Sequence, residues 1–151
     1  MGRAKVMNDK INKVNSDMEY LSWNEVDKLI KIISHKIKEK NERYDSIIGI
    51  KNGGIIPARL ISKELEISKI EFISTKENQS NKFWDCITND KKYLLIDEIY
   101  DTGKTFLEIK NYLKNIEFNF ACLISRYKLQ DDKIIVGKIL NNKKWIVFPW
   151  E

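Results

Sequence analysis

The chain of 151 residues is poor in what marks metal clusters, disulfide scaffolds or membrane passage, with two cysteines, one histidine, two prolines and six glycines. Cys86 and Cys122 lie far apart and outside any C-x-x-C pattern. That excludes a disulfide framework and, with so little histidine, a zinc site. Cys122 sits in an apolar run and reads as a small buried hydrophobe. His35 falls beside Lys36 and Lys38, off the apolar stripe of its segment, and reads as a solvated side chain rather than a catalytic one. No apolar run is long enough to span a bilayer and no leader pattern opens the chain, so a soluble cytoplasmic protein is expected.

What is present is charge and aliphatic residues. With 42% hydrophobic and 32% charged residues, a packed core under a well-solvated surface is expected. One domain of this length buries about two-thirds of its unfolded surface. The net charge of +5 suits either nucleic acid or a small polyanionic substrate. The lysines are scattered rather than massed in one block, which favours the small substrate.

Along the chain, residues 1–19 are polar and rich in lysine and asparagine, and read as a loose arm ahead of a single domain over 20–151. Ser22-Trp23-Asn24-Glu25 fits a capping box. Val26, Leu29, Ile30, Ile33 and Ile37 then recur at helical spacing. Ser46-Ile47-Ile48-Gly49-Ile50 reads as a short strand, followed by the turn Lys51-Asn52-Gly53-Gly54. Next comes a helix with Pro57 in its first turn and Leu60, Ile61 and Leu65 on its buried face. Two glycines after a strand allow the backbone close to a ligand. Lys69–Ile73 is a further strand. Thr75–Asp85 loses all periodicity and reads equally as a lid, with Lys76 and Lys82 closing on a phosphate, or as a solvated hairpin tip.

The stretch Tyr93–Thr105, YLLIDEIYDTGKT, organises the rest. Four apolar or aromatic residues run into Asp97 and Glu98, the pattern of a buried parallel strand delivering acids to the carboxyl edge of a sheet. Asp101-Thr102-Gly103-Lys104-Thr105 then leads into a helix marked by Phe106, Ile109, Leu113 and Ile116. Backbone amides at such a helix start form a phosphate cradle. The stretch is not a nucleotide triphosphatase loop, because Glu98 stands where that motif needs a glycine. Strand candidates Phe118–Ile124 and Ile134–Gly137 and the aromatic tail Trp145–Trp150 complete the chain. Alternating strands and helices predict an α/β fold, a mostly parallel central sheet with helices on both faces.

YLLIDEIYDTGKT closely resembles the signature of type I phosphoribosyltransferases. The turn Ile48–Gly54 with Pro57-Ala58 is similar to that family's pyrophosphate loop, and the Ser22-Trp23 helix start and the tail Trp145–Glu151 resemble its xanthine-guanine branch. The resemblance covers roughly residues 20–151 and implies the type I fold, with a small C-terminal hood. It implies transfer of ribose 5-phosphate from phosphoribosyl pyrophosphate (PRPP) to guanine, xanthine or hypoxanthine in purine salvage, with Mg2+. On that resemblance Asp97 and Glu98 hold the ribose hydroxyls and metal, and Asp101, Thr102, Gly103, Lys104 and Thr105 hold the 5-phosphate. Lys51, Asn52 and Gly53 take the pyrophosphate. Asp101 matches the general base, Trp145 the aromatic stacking on the purine, and Ile146 its neighbour in the base site. Arg126 stands where purine members carry a lysine that contacts the 6-oxo group, with Lys128 nearby. The same resemblance implies a homodimer or homotetramer, while the lack of an apolar span and the scattered lysines argue against a membrane or nucleic-acid partner. Two rivals are a transferase with another acceptor base and a nucleotide-sensing regulator of the same fold that binds nucleic acid without catalysis.

Overall fold

A computed structural model describes residues 17–75 and 87–151. In chain order the elements are β1 (Met18–Tyr20), α1 (Trp23–Glu39), β2 (Ser46–Ile50), α2 (Ile55–Leu65), β3 (Ile70–Ile73), β4 (Lys92–Tyr100), α3 (Lys104–Tyr112), β5 (Glu117–Ser125), β6 (Ile134–Ile139) and β7 (Trp145–Val147). Five strands form an all-parallel sheet in the order β3-β2-β4-β5-β6, and β1 pairs with β7 in a separate two-stranded parallel sheet. This is the α/β fold with a small hood that the sequence predicts.

The sheet is buried on both faces, which is why its strands read as continuous apolar runs. Ile47, Leu94, Ile96, Ala121, Leu123 and Ile135 contribute to one core, while Ile48, Leu95, Phe120 and Cys122 pack into the other. Because side chains alternate along a strand, a run such as Leu94-Leu95-Ile96 supplies both. Helix α1 closes the first core with Val26, Leu29, Ile30, Ile33 and Ile37, all buried. Its start is the capping box: Glu25 N–H donates to Ser22 Oγ at 3.1 Å and Ser22 N–H donates to Glu25 Oε1 at 3.4 Å. His35 is on the outer face, 2.8 Å from Glu39, as a solvated residue. Helix α3 closes the second core through Phe106 and Ile109, with Leu113 just past its end.

Three features depart from the sequence reading. Strand β4 continues through Asp97 and Glu98 to Tyr100, held by β5, with Ile99 opposite Ile124 and Tyr100 opposite Ser125. Ile116 lies beyond α3 and packs beside the second core from the turn into β5. Met18 and Glu19, assigned to the loose arm, form β1 with Tyr20 and pair with Trp145, Ile146 and Val147. Residues 1–16 of that arm and most of the Thr75–Asp85 stretch, with Lys76 and Lys82, lie outside the described residues.

At the opposite edge of the sheet from the acids, Tyr44 is buried and donates to Asn119 Oδ1 at 2.5 Å, while Asn119 Nδ2 donates to Lys133 O at 3.3 Å. Burial, reinforced by the neighbouring Glu42 charge, pushes the Tyr44 hydroxyl well above the usual tyrosine range, so it stays a donor. Tyr44→Phe leaves the buried Asn119 carbonyl oxygen without its donor and is expected to cost about 1–3 kcal/mol. Chemical denaturation checks this, and an unchanged midpoint would show the bond to be dispensable.

Candidate active site

Three chain segments converge at the carboxyl edge of the sheet. Parallel pairing of β2 with β4, Gly49 opposite Ile96, brings the turn after β2 beside the acids at the end of β4. The cavity between them, about 220 Å³, is lined by Lys51, Asn52, Gly53, Asp97, Glu98 and the 101–105 loop. Candidate site residues from two stretches distant in the sequence thus stand around one cavity. Thr75, where the described chain breaks, also lines it.

The turn after β2 is tied down by its main chain. Lys51 N–H donates to Ile73 O at 2.7 Å, Gly54 N–H to Ile50 O at 2.8 Å and Ile55 N–H to Asn52 O at 3.2 Å. The Lys51–Asn52 peptide is cis. Gly53 lies against the second acid: a Cβ there would run into the carboxyl end of the Glu98 side chain, which would have to move. The turn and the second acid are thus in direct apposition, which suits a ligand bearing hydroxyls at one end and phosphates at the other.

The loop after β4 turns into α3 through Gly103, at φ 87 as the N-cap. A side chain there would be strained by that angle and would meet the Tyr100 hydroxyl at 2.5 Å. With no side chain capping α3, its first amides are available to an anion, apart from Lys104 N–H, which donates to Thr102 Oγ1 at 3.3 Å. Asp97 is half-buried and accepts from Glu98 N–H at 2.7 Å through Oδ1. Opposite it across the strands is Cys122, whose thiol is pushed well above the usual range, first by burial and then by the Asp97 charge. A thiol held neutral in this way is no nucleophile, so the site's polar chemistry rests on carboxylates, amides and hydroxyls.

A second cavity of about 490 Å³ opens on the other side of the loop, lined by Asp101, Arg126, Tyr127, Asn142, Lys144 and Trp145. Asp101 lines both. Trp145 is partly exposed and faces this cavity from the hood, whereas Ile146 is buried in the first core and can offer a ligand only its main chain. Arg126 borders the cavity, but its guanidinium is engaged: Nη2 donates to Lys144 O at 2.6 Å, Nη1 to Asn142 O at 3.0 Å and to Asn142 Oδ1 at 3.3 Å, and Nε lies 3.6 Å from Asp101 Oδ1. Lys128 lines a different hollow, between α1 and β6. Tyr127, Asn142 and Lys144 were not anticipated. Their signal in the sequence is slight, an aromatic after a strand end and a polar turn just before the aromatic tail.

The family comparison matches residues 18–151 to the phosphoribosyl transferase domain. The chain belongs to the phosphoribosyltransferase family. Among curated relatives, it is 26% identical over 140 residues to the xanthine-guanine phosphoribosyltransferase of Chromohalobacter salexigens, covering 87% of this chain and 82% of that one. It is 28% identical over 142 residues to the enzyme of the same name from Nitratidesulfovibrio vulgaris strain DP4, covering 87% and 83%. The solved purine phosphoribosyltransferase of Pyrococcus horikoshii is similar with a TM-score of 0.69 at 29% identity, covering 89% of this chain and 94% of that one. The chain is accordingly a phosphoribosyltransferase enzyme. Among the described residues no helix is long and apolar enough to cross a membrane.

Proposed function

We propose that this phosphoribosyltransferase transfers ribose 5-phosphate from PRPP to a 6-oxopurine, guanine, xanthine or hypoxanthine, releasing pyrophosphate. The observation that carries the reading is the place of Asp101, which lines both the acid-and-phosphate cavity and the aromatic-sided cavity beside it. A bond formed between the occupants of the two has this carboxylate alongside.

In this reading the 101–105 loop holds the 5-phosphate, Asp97 and Glu98 hold the ribose hydroxyls, and Lys51, Asn52 and Gly53 take the pyrophosphate. Trp145 stacks on the purine from the hood, where a large flat ring gives the most contact for one side chain. The ribose C1–oxygen bond to pyrophosphate breaks and its electron pair leaves with the pyrophosphate. A purine nitrogen lone pair forms the new bond to C1, and the proton shed from the purine passes to the Asp101 carboxylate. Fixed carboxylates near the ribose stabilise the positive charge that develops there.

Magnesium fits this donor set. The acids are hard oxygen ligands, and among the described residues no group of three or more metal-binding side chains forms a protein cage. Mg2+ commonly binds through one or two carboxylates together with substrate phosphates and water. Asp97 and Glu98 would hold it, and it would neutralise the departing pyrophosphate.

The test is PRPP-dependent consumption of guanine, xanthine and hypoxanthine, followed by absorbance with and without added Mg2+. Turnover of at least one base that stops when PRPP or Mg2+ is withheld is expected. No turnover of any base, combined with tight binding of RNA or DNA, would replace the enzyme by a regulator of the same fold.

A further inference from the structure

We infer that Arg126 is a positioning residue that clamps the 141–144 turn of the hood against the catalytic loop, setting base affinity without reading the base. The kinetic part of this inference rests on the proposed function. The clamp itself does not.

The geometry points to a strut. Arg126 leaves the end of β5 with its own N–H bonded to Tyr100 O at 3.0 Å, so its backbone is fixed to the last residue before Asp101. Its side chain is only 13% exposed and reaches two carbonyls of one turn, Asn142 O and Lys144 O. Among the described residues, the other hydrogen bonds of this turn are local. Asn142 Oδ1 accepts from Lys144 N–H at 3.0 Å and Asn142 N–H donates to Leu140 O at 2.9 Å, both within the turn, while Leu140 N–H donates to Ser125 O at 2.9 Å at its root. The next residue is Trp145, whose far side is fixed by β1 through Met18. Trp145 therefore stands between two supports, strand pairing on one side and a guanidinium on the other.

Chemistry favours arginine for this task. A planar fork with five donors can serve two carbonyls and a carboxylate together, whereas a lysine ammonium is one point with three rotatable donors. A largely buried guanidinium must also keep its partners, since losing them leaves a desolvated charge unpaired. Turning toward a purine oxygen would give up bonds already made within the protein.

Amide hydrogen exchange over 140–147 in the ligand-free protein tests the clamp whether or not the enzyme turns over. Arg126→Ala should speed exchange there about tenfold, as expected for loss of a hydrogen bond to a charged group. Arg126→Lys, which keeps the charge and guards against a folding failure, should fall between the two. Unchanged exchange in both variants overturns the clamp. In steady-state assays, Arg126→Ala should raise KM for the base about tenfold while KM for PRPP stays within about twofold of the parent. It should lower kcat/KM for guanine and for 6-thioguanine by the same factor, because the strut acts on Trp145 rather than on the 6-substituent. A loss falling on guanine and sparing 6-thioguanine would make Arg126 a direct reader of the 6-oxo group and overturn the inference. Absence of all activity with accelerated exchange would leave the clamp standing and remove the proposed function instead.

Discussion

Asp101→Asn is expected to lower kcat by about a hundredfold to ten-thousandfold, the range supplied by a positioned general base. PRPP binding should stay close to that of the parent. Size and shape are retained, and the amide oxygen can still face Arg126 Nε, which lies 3.6 Å from Asp101 Oδ1. The Asp101 side chain is 65% exposed, so its ion pair is well screened and its loss should cost under about 1 kcal/mol of stability. A drop in rate without a drop in melting temperature therefore separates proton transfer from architecture. PRPP affinity by calorimetry belongs beside the kinetics, because Asp101 also opens the 101–105 loop proposed to hold the 5-phosphate. Full activity in the variant would take proton transfer away from this carboxylate.

Gly53→Ala should be nearly as damaging through a different route. Gly103 is the only glycine of the described chain at positive φ, so alanine at 53 meets no backbone penalty and the effect is one of contact. The added methyl would occupy the position of the Glu98 carboxyl. Either Glu98 swings away from the cavity or the turn after β2 moves outward, and both separate the acids proposed to hold the ribose from the turn proposed to take the pyrophosphate. Displacement of about 1 Å among substrate-positioning groups costs on the order of a hundredfold, and kcat/KM for PRPP should fall by that much. Glu98→Ala removes the clash along with the acid, so the double variant should be scarcely worse than Glu98→Ala alone. Strict additivity would mean that the two residues act independently and that their apposition has no functional weight.

Much of this site is legible in the sequence, for local reasons. An apolar run ending in Asp97-Glu98, followed by a glycine-bearing loop and a helical pattern, specifies strand, acids and the turn into α3 within one stretch. Ser22 and Glu25 mark the start of α1 because both capping bonds are local. What escapes is set by contacts distant in sequence. Strands β1 and β7 have three residues each, too few to show a period, and exist through pairing across the whole chain. The continuation of β4 to Tyr100 runs against the low strand preference of acids and follows from β5 alongside it. Ile146 follows Trp145, which lines the second cavity, yet turns its side chain into the core, as alternation on a strand requires. Arg126 occupies the position where, by the family resemblance, purine members carry a base-contacting lysine. Only the turn at 141–144, folded back over it, shows where its donors go.

The central claim is that the pair of cavities meeting at Asp101 joins ribose 5-phosphate to a 6-oxopurine. Mass spectrometry of the full-length protein incubated with PRPP, Mg2+ and guanine, xanthine and hypoxanthine in parallel tests it most directly. Equimolar nucleoside 5-monophosphate and pyrophosphate should appear with at least one base, and neither with Asp101→Asn over the same interval. PRPP left intact in the presence of all three bases would contradict the account.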